Sequence, residues 1–103
     1  MGGKITVKID PDLKELIPTY LEHVAQHLGA MTQLLKAGDF DALWKVGHQL
    51  HGSGGGYGLD FLTECGVRVE ATAKKQDKQA VEAQINELKD FLERLDIVYA
   101  DPD

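Results

Sequence analysis

Between Asp10 and Tyr99 the apolar residues recur at steps of three and four, the periodicity of amphipathic helices. Asp10 as N-cap and Pro11 at the first helical position announce a first helix, whose stripe runs Leu13, Ile17, Tyr20, Val24, Leu28, Met31, Leu35. Pro18 interrupts that stripe and predicts either a kink or a short leading helix followed by a long one. Ala37-Gly38 ends it, and Asp39 caps a second helix carrying Phe40, Leu43, Gly47, Leu50, Gly54 and Tyr57. A third stripe, Leu62, Cys65, Val69, Ala73, follows Gly58 and stops near Lys74-Lys75, whose charges suit a helix C-terminus. The fourth begins at Asp77 and runs Val81, Ile85, Leu88, Leu92, Leu95, Tyr99. Ahead of them Ile5-Thr6-Val7-Lys8-Ile9 alternates like a strand, but one strand without a partner is marginal, so an extended arm docked on the helices is expected. The predicted fold is all-α: an up-and-down antiparallel four-helix bundle with an extended N-terminal arm and a short or kinked leading helix. It forms one domain over residues 1–103, with the arm at 1–9 and the bundle at 10–99.

The length of 103 residues allows one core, and 43% apolar with 27% charged residues excludes disorder as the main state. A single cysteine, Cys65, excludes an internal disulfide framework and suits a reducing compartment. No apolar run is long enough for a membrane span, and Met1-Gly2-Gly3-Lys4 opens no signal peptide, so a cytoplasmic protein is expected. Met1 and the self-contained pattern favour a free-standing chain. The net charge of −6 argues against diffuse attraction to nucleic acid or to an anionic membrane.

The anomaly is Gly52-Ser53-Gly54-Gly55-Gly56-Tyr57-Gly58 at the end of the second helix. A glycine in a helix interior costs about 1 kcal/mol relative to alanine, so this run needs a reason. It reads as a flexible linker, as a phosphate-binding loop, or as a helix face stripped of side chains so that another protein can come close. No Lys-Ser or Lys-Thr follows, and no placement satisfies G-x-G-x-x-G, so the phosphate loop fails. A linker would leave two halves with too little core each. The stripped face remains.

At about 100° per residue His48 points away from the Leu43, Leu50, Gly54 stripe and faces solvent. Asp41, Trp44, Lys45, His51, Gly52 and Gly55 share its face at spacings of three, four and seven. One reading is a surface histidine beside a frayed helix end. The other is a nucleophile shown to a bulky partner, because neutral imidazole has a lone pair near pH 7 that can take a phosphoryl group.

The stretch from Gly47 to Gly58, Gly-His-Gln-Leu-His-Gly-Ser-Gly-Gly-Gly-Tyr-Gly, followed by Leu62, Cys65, Val69 and Glu70, resembles the signature of histidine phosphotransfer (HPt) domains of two-component phosphorelays. That family's pattern reads roughly H-x-L-K-G-S-x-x-x-x-G, then a Leu, a small residue or Cys, and a Leu-Glu pair. Leu34 to Asp39 also resembles the family's first turn, and the similarity runs from about Asp10 to Leu95. The resemblance implies a four-helix bundle in which His48 is the phosphorylated residue, Gly52 gives clearance beside it, Gly58 hands the second helix to the third, and Glu70 is the carboxylate of the Leu-Glu pair. One position departs: His51 stands where the family has a lysine able to hold a phosphoryl oxygen. Lys45, on the same face, is the candidate substitute.

The implied chemistry is transfer between His48 and the aspartate of a response-regulator receiver domain, with a sensor histidine kinase as a further partner. The receiver would bring Mg²⁺ and the acidic pocket, so the chain would be a phosphocarrier without a cofactor of its own, not an enzyme. Gly52 and Gly55 would keep the way to His48 clear, and Trp44 would anchor the interface. The alternative is a helical docking or adaptor module that uses the same His48 face without phosphorylation. His23 and His27 are four apart and His48 and His51 three apart, spacings seen in metal ligands. With His27 bordering the core stripe and His48 pointing outward, no shared metal site is expected, though His27 is placed to frame the His48 surface. Cys65, on a core stripe, is expected to be a small hydrophobe.

Overall fold

The computed structural model describes residues 3–100. Strand β1 (Ile5–Ile9) leads into a single 3₁₀ turn (Pro11–Leu13), followed by helices α1 (Ile17–Ala37) and α2 (Phe40–Ser53). A second 3₁₀ turn (Gly54–Tyr57) connects to α3 (Asp60–Lys74), then come α4 (Lys78–Arg94) and strand β2 (Leu95–Tyr99). Each helix packs on the next and α4 closes back on α1, giving the four-helix bundle that the stripes require.

Aspartate caps set the starts of α2 and α4, whereas Asp10 caps only the leading 3₁₀ turn, and α1 and α3 begin after Leu16 and Leu59 without a side-chain cap. Asp39 and Asp77 accept the backbone N–H groups of Ala42 and Ala80 at 3.0 and 3.1 Å, and Asp10 accepts that of Asp12 at 2.9 Å. Pro18 falls in the first turn of α1, where its missing N–H breaks no bond, so the outcome is a short leading turn followed by a long helix. The core is built from the expected stripes, with Val24, Met31, Leu43, Leu50, Leu62, Val69, Val81 and Leu88 fully enclosed. Phe91, outside the expected α4 stripe, is buried as well and stacks on Phe61 at 4.3 Å.

The C-terminal end departs from the expected bundle at 10–99. Helix α4 stops at Arg94, and Leu95 turns extended, with φ −65° and ψ 126°. The next five residues pair in parallel with the N-terminal segment, from Ile5 opposite Leu95 to Ile9 opposite Tyr99. Leu92, Leu95 and Tyr99 fit a helical step, but Leu95, Ile97 and Tyr99 fit an alternating one equally well. The β-branched Ile97 and Val98, together with the open hydrogen-bonding edge of β1, decide for the strand. Of the arm expected at 1–9, residues 1 and 2 lie outside the described residues; Ile5–Ile9 is extended as expected, and this pairing supplies the partner that it lacked.

Candidate functional site

Helix α2 buries Leu43, Gly47 and Leu50 and turns the intervening residues outward. Its contact with α3 is unusually close because both helices present glycine at the crossing. A β-carbon at Gly47 would lie 2.8 Å from Val69 Cγ1, and one at Gly66 would run into the His51 backbone nitrogen. With no side chain at either crossing point, α3 brings Glu70 alongside the outer face of α2.

His48, His51 and Glu70 meet there. His51 Nδ1 lies 2.6 Å from Glu70 Oε1, a charge-assisted hydrogen bond in which the ring N–H donates to the carboxylate. His48 Nδ1 faces the other oxygen, Oε2, at 3.6 Å, too far for a direct hydrogen bond. The His48 side chain is 60% exposed and that of His51 45%, whereas Glu70 is only 18% exposed. Trp44, one turn before His48, stacks on its ring with centroids 4.9 Å apart and planes 8° apart. The two histidine rings meet edge to face at 6.1 Å. The imidazole of His48 is therefore held between an indole face and a carboxylate while much of its surface stays open to solvent.

The other residues singled out in the sequence divide by location. Lys45 is exposed and has no carboxylate within 4 Å among the described residues. Gly52 lies in α2, and a β-carbon there would meet nothing within 4 Å, so the fold itself does not require glycine. Gly55 is also exposed, and its N–H donates to Thr63 Oγ1 at 2.8 Å. Gly54 belongs to the packing, since a β-carbon would sit 2.7 Å from the Thr63 backbone nitrogen. Gly58 serves the turn, with φ 76° in the left-handed region. The glycine run thus has no single cause: Gly54 and Gly58 serve the fold, Gly52 leaves open space one turn after His48, and Gly55, in the 3₁₀ turn, faces Thr63 and Asp60 at the start of α3.

Two features of the site are not legible in the spacing of α2. One is the Trp44 ring lying flat on His48. The other is Glu70 as the acceptor for His51, for which paired glycines on α2 and α3 were the available signal. His48, His51 and Glu70 each offer a metal-ligating atom, and these atoms lie within 4.8 Å of one another. This differs from the cross-helix pairing weighed above, since neither His23 nor His27 takes part. His27 is half-buried, and burial, assisted by His23, lowers its pKa. Cys65 is enclosed, and burial pushes its thiol up to about 11, as befits a core residue. The Tyr20 hydroxyl, hydrogen-bonded to Ser53 Oγ at 2.9 Å, secures the end of α2 to α1.

No helix is long and apolar enough to cross a membrane among the described residues. A surface groove between α1 and α4 includes none of the His48 cluster. Comparison with curated proteins and with solved structures returned no match. The family model for the Hpt domain, in contrast, matches residues 15–97 and so spans all four helices and the His48 face. This chain belongs to the Hpt domain family, whose members serve phosphorelays as histidine phosphocarriers and not as catalysts.

Proposed function

We propose that His48 is the phosphoacceptor and that the protein exchanges its phosphoryl group with the aspartate of a receiver domain, with a sensor histidine kinase as a further source. The observation that carries this reading is the placement of His48: an exposed imidazole, its Nδ1 toward Glu70, stacked on Trp44. In the neutral tautomer with the proton on Nδ1, the lone pair lies on Nε2, across the ring from the carboxylate. Nε2 attacks the phosphorus of the aspartyl phosphate, the phosphorus–oxygen bond to the aspartate breaks, and that carboxylate leaves. The ring gains positive charge as the bond forms, and Glu70 is placed to balance it. The receiver supplies Mg²⁺ and the remaining positioning groups; Gly52 and Gly55 leave room for its loops, and Trp44 offers an aromatic contact.

His51 gives the docking reading its support. Its Nδ1–H is spent on Glu70, so neutral His51 has no second N–H to offer a phosphoryl oxygen, and Lys45 is the candidate on that face. The test is to mix the purified chain with phosphorylated receiver domains and Mg²⁺ and follow the label. Acid-labile label on the wild type but not on His48→Gln, with the variant equally helical, is the expected result. A receiver that binds without surrendering its phosphoryl group would favour the docking module.

A further inference from the structure

We propose that His48, His51 and Glu70 form a three-ligand site for a divalent transition-metal ion of the zinc class, and that the metal and the phosphoryl group exclude one another at His48. The donor set is two imidazole nitrogens and one carboxylate oxygen, one from each residue, within 4.8 Å of one another. Such a set suits zinc and its neighbours in the transition series and does not suit magnesium or calcium, which prefer oxygen.

In a tetrahedral site with bonds of about 2.0–2.2 Å, donor atoms stand roughly 3.3–3.5 Å apart, and His48 Nδ1 is already 3.6 Å from Glu70 Oε2. The charge is suitable as well. Glu70 has no lysine or arginine within 4 Å among the described residues, its ionic contacts being the two histidines. Arg68, on the same helix, is engaged by Glu64 and Glu87. The metal would replace the His51 N–H in the contact with Glu70, and the displaced proton would move to Nε2 of the same ring, a tautomer change without net proton release. Both histidines are exposed enough for an ion and a completing water to enter.

The exclusion follows from the two nitrogens of one ring. A neutral imidazole that coordinates through Nδ1 carries its proton on Nε2 and has no lone pair left for phosphorus. This consequence rests on the phosphocarrier reading of His48; metal binding itself does not.

The first measurement is a calorimetric titration of the whole chain with Zn²⁺ alone, alongside the histidine ring resonances by NMR. One ion per chain is expected, shifting His48 and His51. Affinity should fall more than about tenfold in His51→Lys and in Glu70→Gln, and stay unchanged in the double variant His23→Gln/His27→Gln, with circular dichroism checking that each is folded. Absence of one-to-one binding would overturn the site, as would binding that survives both α2–α3 substitutions or disappears with the α1 pair. The second measurement labels the protein from phosphoramidate, without any receiver. Zinc should suppress label on the wild type and leave His51→Lys unaffected, since that variant keeps His48 but loses a ligand. Wild-type labelling undiminished at saturating zinc would overturn the exclusion. Zinc binding with the expected variant pattern, but no label on the zinc-free wild type, would uphold the metal site and count against the phosphocarrier reading.

Discussion

Gly52 separates the needs of the fold from those of a partner. It sits inside α2, where alanine is the better helix former, and open space surrounds the position of a β-carbon. Gly52→Ala should therefore stabilise the protein by about 0.5–1 kcal/mol in urea melts, while Gly52→Leu, equally folded, should slow label transfer from a receiver. Unchanged transfer in the leucine variant would show that the partner does not come over this position. His27 carries a pH effect. Its pKa in the folded chain lies below the ordinary value of 6.5, so the unfolded chain takes up the proton first as the medium acidifies. The stability tied to neutral His27 is whole above pH 6.5 and lost as the pH falls through the lower folded value. His27→Gln should lose less stability than the wild type between about pH 7 and pH 5, measured by denaturant titration at each pH. At this scale His48, Trp44 and Gly52 were legible from their shared helix face. Glu70 was visible only as one half of a motif, because a residue's own position on α3 says nothing about which atom of α2 it meets.

Among the elements, the contact of α2 with α3 decides most about the site. Gly47, Gly66 and Gly54 allow backbone to approach backbone, and the glutamate arrives at the two histidines as a result. Gly66→Ala should force the helices apart, lowering stability by about 1–3 kcal/mol in denaturant melts and weakening the Glu70 contact, seen as a change in the His51 ring resonances. An alanine variant as stable as the wild type would mean that the crossing is looser than the geometry describes. The helices themselves were legible from a change of period and a short connection, joined at α2 and α4 by an aspartate cap. The end of α4 was not. Residues 95–99 satisfy a step of three or four and a step of two together, and such a short apolar run takes the conformation that its neighbour stabilises.

For the molecule as a whole, the parallel pair joins the two ends of the chain across the bundle. Ile9, at the end of β1, is 1% exposed, and the Ala100 N–H donates to its carbonyl at 3.1 Å. Ile9→Ala should cost about 2–4 kcal/mol in thermal or chemical denaturation and leave labelling of His48 intact at temperatures where the variant is folded. A negligible loss would show that the arm contributes little to the core. The site does not depend on this end of the molecule, since its side chains all project from α2 and α3.

The sequence by itself determined the four helices, the aspartate caps of α2 and α4, the buried stripes and the exposed face that holds His48, because periodicity and capping are local properties written within a few turns of chain. It also carried the HPt resemblance, which the match over residues 15–97 bears out. Only the tertiary structure decided that Leu95–Tyr99 is a strand, since its partner lies at the far end of the chain. It alone decided that Glu70 joins His48 and His51, because that meeting depends on how closely two helices approach, a distance set by packing at Gly47 and Gly66 and not by any spacing along α2.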